Sequence, residues 1–126
     1  MTREWMFDLP ITKPLSLNGR EHWRKKAHAT KEVRASARVL AKHVGIPPLP
    51  RVSIELHYAP RDKRRRDAIN LAATIKPLED GIVDAGVVPD DTAEYVQPTH
   101  GVIDPPTGTV GRLYVIVREL PGLDAA

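Results

Sequence analysis

Residues Arg61 to Glu94 read RDKRRRDAINLAATIKPLEDGIVDAGVVPDDTAE. Three changes of pattern inside this stretch decide the fold. Ala59 to Arg66 carries a proline and no periodicity, so its five bases belong to a loop. From Leu71 through Ile75, Leu78 and Ile82 the apolar spacing is helical, with Gly86 as a terminator. Proline is tolerated in a first turn and costly in a helix interior, so Pro77 predicts that Thr74 caps a helix over 75–85, with Asp67 to Ala73 forming a turn or a short separate helical piece. Val87 to Asp91 then exits as a turn carrying paired acids.

Working outward, Arg51 to Tyr58 alternates Val52, Ile54, Leu56 and Tyr58 against Ser53, Glu55 and His57, the pattern of a half-buried strand. Before it, Trp23, Ala27, Thr30, Val33, Ala37, Leu40, Ala41 and Val44 make one apolar helical stripe, with Arg20, Arg24, Lys31, Arg38 and Lys42 to one side. Ser16 or Asn18, with Glu21, offers that helix a capping start, and Gly45 followed by three prolines offers its stop. Glu4 to Leu9 predicts a first strand; Glu94 to Ile103 and Gly111 to Leu120 predict two more. Leu113, Val115 and Val117 alternate with Tyr114, Ile116 and Arg118, a pattern that predicts a central strand covered on both faces. The expected fold is a small α/β (α+β) domain in the order β-α-β-α-β-β. It has a mixed four-stranded sheet and two main helices on one face. Residues 1–126 are expected to form one domain, with 121–126 a frayed tail.

Composition narrows the chemistry. The hydrophobic fraction of 41% is enough for a core, and the lack of cysteine excludes disulfides and thiolate metal sites. No apolar leader and no apolar run of about 20 residues is present, so the expectation is a soluble cytoplasmic protein with no membrane contact. The net charge of +3 hides segregation. Arg20 to Lys42 holds eight bases against Glu21 and Glu32; Arg61 to Arg66 holds five against Asp62; Asp67 to Glu94 holds seven acids against Lys76 alone. A solvated surface tends to mix its signs, whereas basic blocks bordering carboxylates suit a phosphate backbone held against a metal site.

Oxygen-rich acids without cysteine or paired histidines fit Mg²⁺ or Mn²⁺ better than zinc. Such ions activate water against a phosphodiester, and a lysine nearby would steady the charge that develops. Asp67, Asp90, Asp91 and Lys76 are the candidates. Each has a plainer reading: Asp67 as a helix cap, Asp90 and Asp91 as turn formers after Pro89, Lys76 as a solvated cation.

Arg66-Asp67-Ala68-Ile69-Asn70-Leu71, followed by Lys76-Pro77-Leu78-Glu79-Asp80-Gly81-Ile82-Val83-Asp84-Ala85-Gly86 and Pro89-Asp90-Asp91, resembles the signature of the RusA-like Holliday junction resolvases common in phages and prophages. Leu15-Ser16-Leu17-Asn18 ahead of a basic helix is similar to that family as well. The resemblance implies a homodimeric, Mg²⁺-dependent endodeoxyribonuclease that nicks paired strands of a four-way DNA junction and needs no organic cofactor. It implies catalytic roles for Asp67, Asp91 and Lys76, metal binding by Asp67, Asp90 and Asp91, and a place for Asn70 beside them. Arg61, Lys63, Arg64, Arg65, Arg66 and Asn70, with Arg20, Arg24, Lys31 and Arg38 of the first helix, would hold the DNA.

Two positions depart from the pattern. The family carries a second acid two residues after the first, and here that place is Ile69, which cannot coordinate an ion; Asp90, Asp91 or another acid such as Asp62 or Glu55 would have to supply the missing oxygen. Lys76 also lies about one helical turn further from Asn70 than in shorter family members. Ile69 keeps a second expectation open, a branched-DNA-binding relative with weak or no catalysis; a third is an RNA-binding or structural module. His22, His28, His43, His57 and His100 read as surface or packing residues, Trp23 as core or dimer interface, and Asp80 and Asp84 as a solvated pair on one helix face.

Overall fold

The computed structural model describes residues 2–16 and 23–123. Its elements are β1 (Glu4–Asp8), α1 (Trp23–His43), β2 (Arg51–Ala59), a single 3-10 turn (Ala68–Leu71), α2 (Ala72–Asp84), β3 (His100–Ile103) and β4 (Arg112–Leu120). This is the expected α+β order, and the four strands form one mixed sheet in the order β1-β4-β2-β3. β4 runs antiparallel to both β1 and β2, while β3 adds in parallel to β2.

Alternation explains which face of the sheet is covered. Phe7 of β1, Val52, Ile54, Leu56 and Tyr58 of β2, and Leu113, Val115 and Val117 of β4 all point into the core. Val33, Ala37 and Ala41 of α1 and Leu78 and Ile82 of α2 join the same cluster. β4 is central, as its composition predicted, but the coverage differs. Tyr114, Ile116 and Arg118 are only half-buried, because both helices lie on the opposite face.

The apolar stripe of α1 is shorter than its sequence suggests. Ala27 and Thr30 are exposed and Trp23 is 67% exposed, so Trp23 is not a core residue. Burial begins at Val33, where α1 meets α2. The capping start expected at Asn18 and Glu21, together with Arg20 and His22, lies outside the described residues. At the other end, Gly45 and Gly86 sit at φ 81° and 86° and close their helices through Gly45 N–H to Lys42 O (3.0 Å) and Gly86 N–H to Val83 O (2.9 Å).

α2 starts earlier than Pro77 implied. It begins at Ala72 and carries Pro77 in its interior, with the ring buried in the core, so packing offsets the hydrogen bond that proline cannot donate. Thr74 is no cap. It is fully buried, and its hydroxyl accepts the Leu15 N–H at 2.9 Å, tying α2 to the segment after β1. β3 is also shorter than expected. Val96 makes an isolated parallel bridge with Val52, and the ladder resumes only at His100 opposite Glu55, because one extra residue on this side shifts the register between the two points.

Candidate functional site

Leu71, fully buried, pins the 3-10 turn to the core and leaves Asp67, Ile69 and Asn70 in solvent. Ile69 is 76% exposed, with no packing role to account for it. Asp67 stands at the cap position of the turn in extended conformation, but its carboxylate accepts no capping hydrogen bond; the Asn70 N–H instead reaches Asp67 O at 3.0 Å.

One helical turn further on, Lys76 projects from the exposed side of α2. Its ammonium donates to Asp80 Oδ1 at 3.0 Å and to Asp91 Oδ2 from the turn after α2. The hydrogen bond to Asp91, reinforced by the one to Asp80, raises the Lys76 pKa well above its usual value, and the same contact holds Asp91 below the ordinary carboxylate range. Lys76 is therefore a fixed positive charge near neutral pH and not a proton donor. Asp90 Oδ1 accepts the Asp91 N–H at 2.6 Å, so the acidic pair is a self-bonded turn with one carboxylate committed to Lys76.

Glu79 belongs to this group and was missed from the sequence. It is half-buried, receives the Thr99 hydroxyl at 3.1 Å, and has its pKa pushed up by burial, against the pull of Thr99 and Lys76. Lys76 thus faces Glu79, Asp80 and Asp91, an excess of negative charge around one ammonium. The Lys76–Asp80 pair was legible as an i, i+4 spacing; the approach of Asp91 depends on where the turn after α2 returns. Asp84 is exposed, as expected, and is also held by Arg34 of α1 through Nε to Oδ2 at 2.6 Å and Nη2 to Oδ1 at 3.0 Å, and Arg34 lies 3.8 Å from Asp80.

The donor chemistry here is all oxygen, which fits a hard cation held by one or two carboxylates, with water and phosphate completing its shell. Asp67, Asp90 and Asp91 are the residues expected to hold it, yet among the described residues no three acidic or histidine side chains gather as a ligand set. Glu55 and Asp62, the substitutes considered for Ile69, are engaged elsewhere: Glu55 with Arg118 and His57, Asp62 with the loop arginines.

The basic loop divides into two roles. Arg66 is mostly buried and donates through Nη1 to Asp62 O (2.7 Å), Asp62 Oδ1 (2.9 Å) and Arg64 O (2.7 Å), so it braces the loop. Arg64 pairs with Asp62 at 3.2 Å, and these hydrogen bonds hold the Asp62 carboxyl far below its usual pKa. Arg61, Lys63, Arg64 and Arg65 are exposed, as are Lys31 and Arg38 of α1. Arg24 lies 5.3 Å over the Trp23 ring.

No family model matches the chain. An uncharacterized protein of Xylella fastidiosa is 33% identical to it over 114 residues, covering 86% of this chain and 72% of that protein. The chain belongs to the same family as that Xylella protein.

This family member has a second polar cluster, on the open face of the sheet, where sequence reading placed only a surface or packing histidine. His57 Nδ1 lies 3.2 Å from both Asp104 oxygens and its Nε2 lies 3.0 Å from Glu55 Oε1, while the ring stacks on Tyr114 at 4.6 Å. The Tyr114 hydroxyl donates to Asp104, which pushes its pKa up to about 12. Strand register puts His57 opposite Tyr114, and alternation along β2 puts Glu55 on the same face, so period-two reading across two strands held the signal.

Proposed function

We propose that this protein is a metal-dependent endodeoxyribonuclease of the RusA-like, junction-resolving type, acting in the cytoplasm as a homodimer on four-way DNA. The observation that carries the reading is the position of Lys76, a permanently charged ammonium beside the Asp90–Asp91 turn, on the helix that follows the basic loop and Asp67.

In this reading Arg61, Lys63, Arg64 and Arg65 hold the DNA backbone, with Lys31 and Arg38 extending the contact along α1. Arg66 keeps the loop in shape through Asp62. Lys76 neutralises negative charge on the scissile phosphate, a role that suits an ammonium whose acidic neighbours favour its protonated form. Asp67, Asp90 and Asp91, which do not gather as a ligand set without the ion, would supply the oxygens for Mg²⁺, or Mn²⁺ in its place, and the ion when bound would supply an activated water. Because Asp91 is engaged by Lys76, ion binding there requires Lys76 to shift toward Asp80 or the phosphate.

The exposed Ile69 favours a second reading, a branched-DNA-binding relative that has lost catalysis. Purified protein incubated with a labelled four-way junction in Mg²⁺, Mn²⁺ or EDTA separates the two. Paired nicks that vanish in EDTA support the nuclease. Tight junction binding without nicks in either metal rejects it in favour of the second reading, and nicking gained by Ile69→Asp then identifies the lost ligand. No preference for junction over linear duplex would reject both.

A further inference from the structure

Beside the basic loop lies a cavity of about 420 Å³ lined by Thr12, Lys13, Tyr58, Arg61, Arg64, Arg66, Thr109, Val110 and Gly111. It is built from three separate stretches of chain that are fastened together. Thr107 N–H donates to Pro60 O at 2.8 Å and Gly108 N–H to Arg61 O at 3.1 Å, which binds the turn before β4 to the start of the basic loop. The Thr107 hydroxyl donates to Val110 O at 2.7 Å and accepts the Thr109 N–H at 3.1 Å, which fixes the far wall. The segment after β1 supplies the remaining side with Thr12 and Lys13.

Lys13, Arg61, Arg64 and Arg66 put four cations on the lining, and no carboxylate is among the lining residues. Asp62, which is not a lining residue, offsets part of this charge through Arg61, Arg64 and Arg66, and in doing so holds the guanidinium groups in place. Such a surface selects an anion. The volume is too large for a phosphate alone and falls in the range of roughly 300–1,000 Å³ found for small-molecule sites. Tyr58, whose ring is buried from β2, and Val110 add an apolar wall that a bare phosphate would leave unused, whereas a nucleobase or sugar could lie against it. The cavity is thus bipolar, cationic toward the loop and partly apolar toward the sheet.

We propose that this cavity is a subsite for one nucleoside monophosphate group, with the phosphate against Lys13, Arg61, Arg64 and Arg66 and the nucleoside against Tyr58 and Val110. It deepens the DNA reading above, on which only the source of the nucleotide rests: an unpaired nucleotide of a bound strand, or a free mononucleotide.

The test is an amide NMR titration of the full chain in EDTA, so that no cleavage is required and the fate of the subsite is separable from that of the nuclease. dTMP is expected to shift the Lys13, Thr109, Val110 and Gly111 resonances saturably. Thymidine should leave them unmoved, and inorganic phosphate should need at least ten times the concentration. Lys13→Gln, an exposed position, should weaken dTMP at least fivefold with the rest of the spectrum unchanged. A single-stranded oligonucleotide acting on the same resonances at least tenfold below dTMP assigns the source to a strand; equal or weaker action assigns it to free nucleotide. Phosphate as effective as dTMP, shifts located elsewhere, or an unaltered dTMP affinity in Lys13→Gln would each overturn the proposal.

Discussion

Consider Gly81→Ala in the middle of α2. By propensity alone this is a stabilising change, since alanine is favoured over glycine in a helix interior by about 1 kcal/mol. Here the new methyl group would sit 2.4 Å from the Arg34 carbonyl oxygen and 2.6 Å from the Ala37 Cβ, with the Arg38 nitrogen at 3.1 Å. None of these atoms can rotate away. α1 and α2 must separate by up to about 1 Å, enough to forfeit a quarter to a half of the dispersion energy along the contact. Overpacking of this kind costs about 1–3 kcal/mol, and rigid neighbours place it near the upper end. Subtracting the propensity gain leaves a destabilisation of about 2 kcal/mol. Urea unfolding should show the midpoint falling by about 1 M with an unchanged slope. Adding Ala37→Gly removes one of the two closest collisions, so the double variant should lose at least 0.5 kcal/mol less than the sum of the single changes. An unchanged or raised midpoint for Gly81→Ala would show that the helices do not approach as described, and with that the placement of Lys76 and Glu79 on α2 would lose its basis.

Other expectations are more local. Thr74→Val leaves the Leu15 N–H without its acceptor and should cost about 1–3 kcal/mol, while Thr74→Ser should retain most of the stability; chemical denaturation of the pair checks this. Glu79 and Asp84 should give opposite pH signatures. Burial raises the folded-state pKa of Glu79, so the fold holds this proton more tightly than the unfolded chain does. Stability attributable to Glu79 therefore falls as pH rises from its usual value near 4.5 through the folded value, and Glu79→Gln should remove that fall. Arg34 lowers the folded-state pKa of Asp84, so that contribution is present above the unfolded value and lost as pH drops through the folded one; Asp84→Asn should flatten the acid limb of the stability profile. DNA affinity should fall steeply with salt, and Arg61→Gln should reduce the slope of log K against log salt by about 1, as measured by fluorescence anisotropy.

The element order was legible because period-two and period-3.6 patterns alternate cleanly along the chain, as in Val52 to Tyr58 against Leu71 to Ile82. The errors share a cause, which is that packing overrode a local rule. Pro77 remains inside α2 because its ring is buried, and Thr74 serves Leu15 in place of a helix end. Trp23 keeps its place on the stripe but stays 67% exposed, since α1 contributes buried residues to the core only from Val33 onward. For the candidate site, charge reversal between Arg66 and Asp67 singled out the region in the sequence, and the i, i+4 spacing of Lys76 and Asp80 held their contact without being read as such. The contacts of Lys76 with Asp91 and of Glu79 with Thr99 join residues 15 and 20 positions apart and depend on the path of the chain after α2. The cavity at Lys13 and Arg61 joins three distant stretches and has no sequence signature at all.

The position of β4 bears on how the chain acquires its fold. β1 and β2 precede β4 in the chain, yet neither touches the other; each is hydrogen-bonded to β4, the last of the described strands. Until residues 112–120 are present, β2 has only β3 as a partner, β1 has none, and the apolar sides of Phe7, Ile54 and Leu56 lack their central layer. Assembly of the sheet must wait for residues 112–120, and the pairing of Glu4 with Arg118 joins residues 114 positions apart. A nascent chain released short of β4 would present two unpaired strand edges, the form of this sequence most exposed to aggregation.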